Sequence, residues 1–128
     1  MATNDFGLSA IGQIAVNVHD TDRAVEFYRD KLGMKLLFRA PPDLAFFDCD
    51  GIRLMLAPPD KPEFDHPSSI IYFKVADIQE AARILNERGV QFEEQPAFVA
   101  NMGAYDLWIG AFRDSENNLL AMMSEVAH

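Results

Sequence analysis

The stretch IAVNVHDTDRAVEFYRDKLGMKLLF, residues 14–38, decides the fold. Apolar residues alternate with small or polar ones through residues 12–18, as in a strand that buries one face. Asp20 or Thr21 is a suitable N-cap for the helix that follows, in which apolar residues recur at helical spacing. Gly33 is typical of the left-handed residue that ends a helix. The stretch therefore predicts a strand, a helix and a return strand.

Three strand-like runs follow the helix, at residues 35–39, 44–49 and 52–57. Pro41-Pro42 separates the first two runs, and Asp50-Gly51 is a hairpin signal between the last two. The first half of the chain is thus predicted to have the order βαβββ.

The same order recurs in the second half, at an offset of about 57 residues. Residues 69–75 alternate as a strand, and a helix is predicted between Asp77 as its N-cap and Gly89 as its stop. Three strands are then predicted at residues 90–93, 106–112 and 119–123, with a long loop before the second of them and residues 114–118 as the last turn.

The chain is predicted to form a single domain, residues 1–128, made of two similar modules. Module 1 covers residues 10–58 approximately and module 2 residues 69–125. Four of the seven prolines lie in residues 58–68, which predicts an extended surface crossover because proline lacks a ladder donor. Hydrophobic residues make up 49% of the chain and charged residues 24%, which is ordinary globular usage.

The charge balance excludes two classes of partner. Eleven Lys and Arg against twenty Asp and Glu give a net charge of −9. Nucleic acids and anionic membrane surfaces require clustered cations, so neither is an expected partner. A neutral or cationic small molecule is the kind of ligand that this charge favours.

The sequence points to the cytoplasm. No apolar run approaches the roughly 18 residues of a membrane span, and MATNDFGLSA lacks the basic and apolar regions of a secretory signal. The single cysteine, Cys49, fits a reducing compartment and is expected to be a small buried residue rather than a nucleophile.

Three segments carry a family resemblance: residues 14–38, IIYFKVADIQEAARILNERGVQF at 70–92, and GAFRDSENNLLAMM at 110–123. In these segments, and in the paired order of elements, the chain resembles the vicinal oxygen chelate superfamily, which includes glyoxalase I, bleomycin-resistance proteins and extradiol dioxygenases. The turn DSENN departs from the family's Asp-Pro-Asp-Gly-Asn at Ser115, Glu116 and Asn117.

The resemblance implies an α+β fold of two tandem βαβββ modules that form an open, cup-shaped mixed sheet, usually in a homodimer. Because this fold carries several unrelated activities, the function has to be argued from the residues of the cup.

In the metal-dependent members of the family, the first and fourth strands of each module each supply a ligand. The resemblance places these positions at Gln13, Met55, Ile70 and Ala121, or at Leu54 and Leu120 in place of the second and fourth if the register slips by one residue. Only Gln13 carries a suitable donor, whereas a divalent metal requires three or four. We therefore expect no metal, no cofactor and no catalytic residue, and we expect His19, His66 and His128 to be surface residues.

The face of Gln13 is the expected ligand site. It should also present Asn17, Met55 and Tyr72, together with Ala15, Ile70, Ala121 and Met123. Tyr105 and Trp108 are predicted to enter from the long loop and to stack on a planar or cationic ligand. The other interpretation places Trp108 in the core and Tyr105 at a dimer contact.

The function that follows is a metal-free small-molecule-binding protein of the glyoxalase and bleomycin-resistance type, with a likeness to bleomycin-sequestering members. Two alternatives stay open: a glyoxalase- or dioxygenase-type metalloenzyme with an atypical metal site, and a structural dimer with a vestigial cup.

Overall fold

The computed structural model describes residues 6–128. The first half contains one helix and four strands: β1 (Gln13–Asn17), α1 (Thr21–Glu26), β2 (Lys35–Ala40), β3 (Leu44–Cys49) and β4 (Ile52–Ala57). The second half repeats that order: β5 (Ile71–Lys74), α2 (Ile78–Glu87), β6 (Phe92–Asn101), β7 (Tyr105–Arg113) and β8 (Leu119–Ala127). No helix in the described part of the chain has the length and apolar character needed to cross a membrane.

Each helix begins at an aspartate and is followed by a glycine stop. The Asp20 carboxylate accepts a hydrogen bond of 3.0 Å from the backbone N–H of Arg23, and Asp77 caps α2 in the same way. Gly33 and Gly89 have φ angles of 72° and 81°, in the left-handed region that glycine tolerates. In the first half, a π-helical turn over Phe27–Lys31 extends α1 before its stop.

The strands form two four-stranded mixed sheets, in the orders β1-β4-β3-β2 and β5-β8-β7-β6. In each sheet the first strand of the half pairs in parallel with the fourth, and the other pairs are antiparallel. The sequence prediction of an α+β fold with two βαβββ units is therefore confirmed.

Both sheets bury the face that carries their helix, and these two faces contribute to one apolar core. Its members include Val16, Tyr28, Phe47, Leu54, Leu85, Phe112, Leu120 and Met122. We call the opposite face of each sheet its outer face. Since side chains alternate along a strand, the residues next to these core residues project from the outer faces.

The prediction of a long loop before β7 was wrong. Strand β6 continues to Asn101, and only residues 102–104 separate it from β7. The register between β6 and β7 shifts at three places, and Pro96 lies within the strand. These bulges interrupt the alternation and the run Glu93 to Pro96 has little strand propensity, which is why the sequence reads as a loop.

Candidate functional site

The outer face of the first sheet brings together part of the predicted ligand site. Gln13 and Asn17 lie at the two ends of β1, and Val16 between them is buried in the core on the other face. The Gln13 side-chain nitrogen lies 3.7 Å from the sulfur of Met55 on the neighbouring strand. The structure therefore places Gln13 and Met55 next to each other, on one face.

An apolar row crosses this sheet through all four strands. Ala15 pairs with Met55, Met55 with Phe46, and Phe46 with Phe38. The rings of Phe38 and Phe46 are stacked, with centroids 4.7 Å apart. Offset aromatic pairs of this kind form a rigid apolar surface on which a flat molecule can lie.

Arg53 stands beside this row and was missed from the sequence. It pairs with Gln13 across β1 and β4, and its guanidinium carbon lies 5.7 Å from the centre of the Phe46 ring. Within residues 6–128 it makes no ion pair. The alternation that places Met55 on this face also places Arg53 there, so the signal was present in the sequence.

A cavity of about 590 Å³ opens on the same face. The proline-rich crossover forms one wall, through Pro58, Pro59 and Phe64, and β1 and β4 supply another. Its full lining is Ala15, Asn17, Pro42, Asp43, Leu44, Met55, Ala57, Pro58, Pro59, Asp60 and Phe64. The volume lies within the range of small-molecule pockets.

Asn17 holds the crossover in place. Its side-chain nitrogen donates to the carbonyl oxygens of Phe64, at 2.7 Å, and of His66, at 3.1 Å. Both amide N–H groups are thereby occupied, so only the side-chain oxygen is free to meet a ligand. Asn17 lines the cavity, but its principal contact is with the chain itself.

Tyr72 and Tyr105 lie on the second sheet and do not line this cavity. Tyr72 is 49% exposed on the outer face, opposite Ala121. Lys74, on the same strand, forms a 2.9 Å ion pair with Glu125. This hydrogen bond and the charge of Glu125 raise the pKa of Lys74, with a smaller contribution from Tyr105.

Trp108 lies on the other face of the second sheet. It packs against the core, and its ring meets that of Phe98 edge to face at 6.3 Å. The structure therefore does not bring Trp108 together with Gln13. Trp108 and the buried Phe112 are separated by an even number of positions in β7, so their side chains lie on the same face of the sheet.

The four positions that the family uses for metal ligands do not fit a divalent cation. Leu54 and Leu120 are buried in the core, so Met55 and Ala121 are the outward residues of β4 and β8. The set is then an amide, a thioether and two hydrocarbon side chains, with a guanidinium beside it, and it lacks the three donors that zinc, iron or nickel need. Among residues 6–128, no three His, Cys, Asp or Glu side chains cluster closely enough to hold a metal.

The three histidines and Cys49 do not line this cavity, whereas the carboxylates of Asp43 and Asp60 do. His19 contacts the Asp65 carboxylate at 2.9 Å on an exposed surface, and His128 lies 3.4 Å from Asp106. Burial raises the pKa of the Cys49 thiol, and the neighbouring carboxylates of Asp48 and Asp50 add to the shift. A thiol held in its protonated form is a poor nucleophile.

Comparison with known proteins gives both a family and relatives. The model of the Glyoxalase/Bleomycin resistance protein/Dioxygenase superfamily matches residues 10–122. The uncharacterized protein YurT of Bacillus subtilis (strain 168) is 30% identical over 130 residues, which cover 87% of this chain and 95% of that protein.

Solved structures share the fold at lower identity. TnmS3, an antibiotic binding protein from Streptomyces sp. CB03234, has a TM-score of 0.74 and 22% identity over 94% of this chain and 98% of its own. Lactoylglutathione lyase from Agrobacterium tumefaciens has a TM-score of 0.72 and 22% identity over 91% of this chain and 93% of its own. The chain therefore belongs to the Glyoxalase/Bleomycin resistance protein/Dioxygenase superfamily.

Proposed function

We propose that this chain is a metal-free small-molecule-binding protein whose ligand lies on the outer face of the first sheet. The observation that carries the proposal is the chemistry of that face. At the four positions where a metal-dependent relative would hold its donors, two on this face and two in the second half, Gln13 is the one N or O donor, and Met55, Ile70 and Ala121 supply none. Catalysis through a metal or a proton-transferring carboxylate has no support from these residues, whereas binding needs only surface and shape.

The side chains of the face favour a flat ligand with a hydrogen-bond acceptor. The Phe38–Phe46 stack and Met55 offer an apolar surface, and the Gln13 amide and Arg53 guanidinium supply donors at its edge. The net charge favours neutral or cationic ligands at long range, but Arg53 repels a cation at contact. A neutral aromatic compound with a carbonyl group satisfies both conditions.

The similar structures support a binding role and an enzymatic role equally at the level of the fold. One carries the name of an antibiotic binding protein and another that of a lyase. Our proposal of a binding role rests on the residues of the face, because a fold shared at 22% identity transfers no chemistry.

The ligand site is completed in our proposal by a second copy of the chain. Exposed apolar residues remain on both outer faces, among them Phe38, Ile70 and Tyr72. Each sheet has two edge strands, β1 and β2 in the first and β5 and β6 in the second, and in our proposal the edges of β1 and β5 lie at the contact. A homodimer that covers these edges and faces would turn the open surface of the first sheet into an enclosed cup.

The test has two stages. Equilibrium dialysis against zinc, nickel, iron and manganese, followed by elemental analysis, should leave no stoichiometric metal. A thermal-shift panel of neutral aromatic carbonyl compounds, their cationic analogues and thioesters should then give a hit, since a ligand at 100 times its Kd stabilises a protein by about 2.7 kcal/mol.

Variants connect the hit to the face. Gln13→Ala should keep the fold and weaken binding about tenfold, because the loss of one well-placed hydrogen bond is worth roughly 1–1.5 kcal/mol. Gln79→Ala removes an exposed amide from α2 and serves as the matched control. Stoichiometric metal that is lost in Gln13→Ala would support the metalloenzyme instead, and a panel without any hit would favour the vestigial cup.

A further inference from the structure

The two halves of the chain meet in a symmetric way at the ends of their helices. The guanidinium of Arg88, just after α2, donates to the carbonyl oxygen of Lys31, at the end of the first helical segment, over 3.0 Å. The stop glycines face this contact: a Cβ on Gly33 would lie 3.7 Å from Arg88, and one on Gly89 would lie 3.6 Å from Lys31. Each half should therefore present the other with an equivalent packing position.

In the first half this position holds a tyrosine, and the cavity outside it is lined largely by charged side chains, among them Lys31, Arg113 and Asp114. Tyr28 is fully buried against Phe47, with ring centroids 6.0 Å apart. Its hydroxyl donates to the Asp114 carboxylate at 2.7 Å, in the turn of residues 114–118 that joins β7 to β8. Tyr28 and the turn of residues 114–118 from the other half thus cover this end of the first helical segment.

In the second half the same position lacks the tyrosine, and its cavity has an apolar lining. Leu85 follows its N-cap Asp77 by the same number of residues as Tyr28 follows Asp20, and Leu85 has no hydroxyl to reach across. The matching turn between β3 and β4 is only Asp50-Gly51, and neither residue lines the space. The result is a cavity of about 300 Å³ between α2, the core face of the second sheet and the segment after α1.

The wall of this cavity is apolar, and a cation lies at its rim. Leu32, Phe73, Leu85, Phe112 and Met122 form the wall, and Arg88 lines the opening. Within the described residues neither Arg88 nor Lys31 has an ion-pair partner. The nearby carboxylate of Glu87 is already bound by Arg83 at 2.7 Å.

We propose that this cavity is a second binding site, separate from the outer face, for a small amphiphilic carboxylate such as a medium-chain fatty acid. The apolar wall accepts the hydrocarbon body, and the free N–H groups of Arg88 bind the carboxylate. The volume lies at the small end of ligand pockets, which favours a medium chain over a long one. Because the chain is strongly acidic overall, the preference for an anion at this cavity comes from Arg88, the one cationic side chain in its lining.

The test uses sodium decanoate and decylammonium chloride, titrated into the full chain by calorimetry below their micellar concentrations. We expect one decanoate per chain and binding at least about tenfold tighter than that of decylammonium. Arg88→Met should weaken decanoate by about tenfold and remove the preference for the anion. Arg29→Met, which changes the same residue type at an exposed position that does not line the cavity, should leave decanoate binding unchanged.

A cavity-filling variant tests the location. Ala81→Leu enlarges a side chain of α2 that lines the cavity. It should abolish decanoate binding, while circular dichroism should show an unchanged fold. Gln13→Ala should have no effect on decanoate, which separates this site from the proposed ligand face. The proposal is overturned if the wild type does not bind decanoate, if decylammonium binds equally well, or if Arg88→Met and Ala81→Leu both leave the affinity unchanged.

Discussion

At the scale of single residues, Glu116 joins the two halves more directly than any other side chain described above. Its carboxylate is 1% exposed and accepts hydrogen bonds from the backbone N–H groups of His19 and Asp20 and from the Arg23 guanidinium at 2.7 Å. Glu116 is one of the positions at which the turn departs from the family pattern. The longer side chain therefore reaches the N-terminus of α1, where a negative charge is favourable.

This arrangement makes the free energy of unfolding depend on pH. Burial alone raises the pKa of Glu116, but hydrogen bonds from Arg23, His19 and Asp20 outweigh it and lower the pKa from 4.5 to about 2. A carboxyl whose pKa is lower in the folded state contributes stability that is complete above pH 4.5 and is lost as the pH falls toward 2. Urea unfolding of the wild type should show this decline.

We predict that Glu116→Gln lowers the free energy of unfolding at pH 7 by roughly 1–3 kcal/mol, because it removes the charge but keeps an acceptor. The variant should also lose much of the decline between pH 4.5 and 2. Glu63→Gln, at an exposed residue of the crossover, is the control. Its free energy of unfolding should equal that of the wild type at pH 7 and should decline equally between pH 4.5 and 2. Equal acid sensitivity in Glu116→Gln and the wild type would contradict the assignment.

Tyr28 carries the second prediction at this scale. Burial and the nearby Asp114 carboxylate hold the pKa of Tyr28 well above its usual value, so the hydroxyl remains a donor. Tyr28→Phe should cost about 1–3 kcal/mol, because Asp114 is buried and loses one of its partners. Tyr72→Phe, in which the hydroxyl is exposed, should change the midpoint of urea unfolding very little.

At the scale of elements, local signals predicted most of the fold. The bounds of β3 and β4 agree with the sequence prediction, as do the N-caps Asp20 and Asp77. These elements have clear alternation or a capping side chain, which are properties of neighbouring residues alone. The strand predicted at residues 90–93 proved to be the start of β6, and its continuation to Asn101 was missed because the pairing depends on β7 and on bulges that no local pattern reveals.

The offset between the halves shows another limit of local signals. Asp20 to Asp77 is an offset of 57, whereas Gly33 to Gly89 is one of 56. The additional residue is taken up by the π-helical turn, in which the N–H of Leu32 donates to the carbonyl of Phe27. The spacing of apolar residues in a sequence does not distinguish a π-helical turn from an α-helical one.

The sequence predicted which side chains share a face of the first sheet, but it did not predict the cavity on that face. The family's ligand positions placed Met55, or Leu54 after a slip of one residue, with Gln13, and the contact is with Met55; alternation along β4 then fixes the side of Arg53. The crossover wall of the cavity was not predictable, because it depends on the hydrogen bonds from Asn17 to residues far along the chain. The sequence placed Tyr72 on a strand of the second half, but whether its side chain lines the cavity depends on tertiary packing.

The hairpin between β3 and β4 gives a prediction at this scale. Asp50 and Gly51 have φ angles of 52° and 88°, and the second of these is unfavourable for any residue with a Cβ. Gly51→Ala should therefore lower the free energy of unfolding by about 1 kcal/mol. Gly12→Ala, where a Cβ meets nothing within 4 Å, should leave it nearly unchanged in the same urea measurement.

At the scale of the whole molecule, one core serves both halves, and both outer faces remain outside it. Tyr28, Asp114 and Glu116 connect the halves on the core side, whereas the proposed ligand face lies on the other side of its sheet. Substitutions in the connection should therefore change stability without direct contact with the ligand. Substitutions on the outer face should change binding or association and leave the core intact.

The last prediction concerns the proposed homodimer. Light scattering after gel filtration should give about twice the chain mass of 14.4 kDa, since a stable interface buries on the order of 1,600 Å² and the outer faces and free edges offer such a surface. Tyr72→Asp, on β5, should shift the mass toward that of one chain, because it places a charge on the covered face. Met102→Asp changes an exposed apolar residue in the β6–β7 turn, outside β1 and β5, and should remain dimeric. A wild type with the mass of one chain at micromolar concentration would leave the outer face of the first sheet open, and the proposed ligand would then have to bind to the Phe38–Phe46 surface and the crossover wall alone.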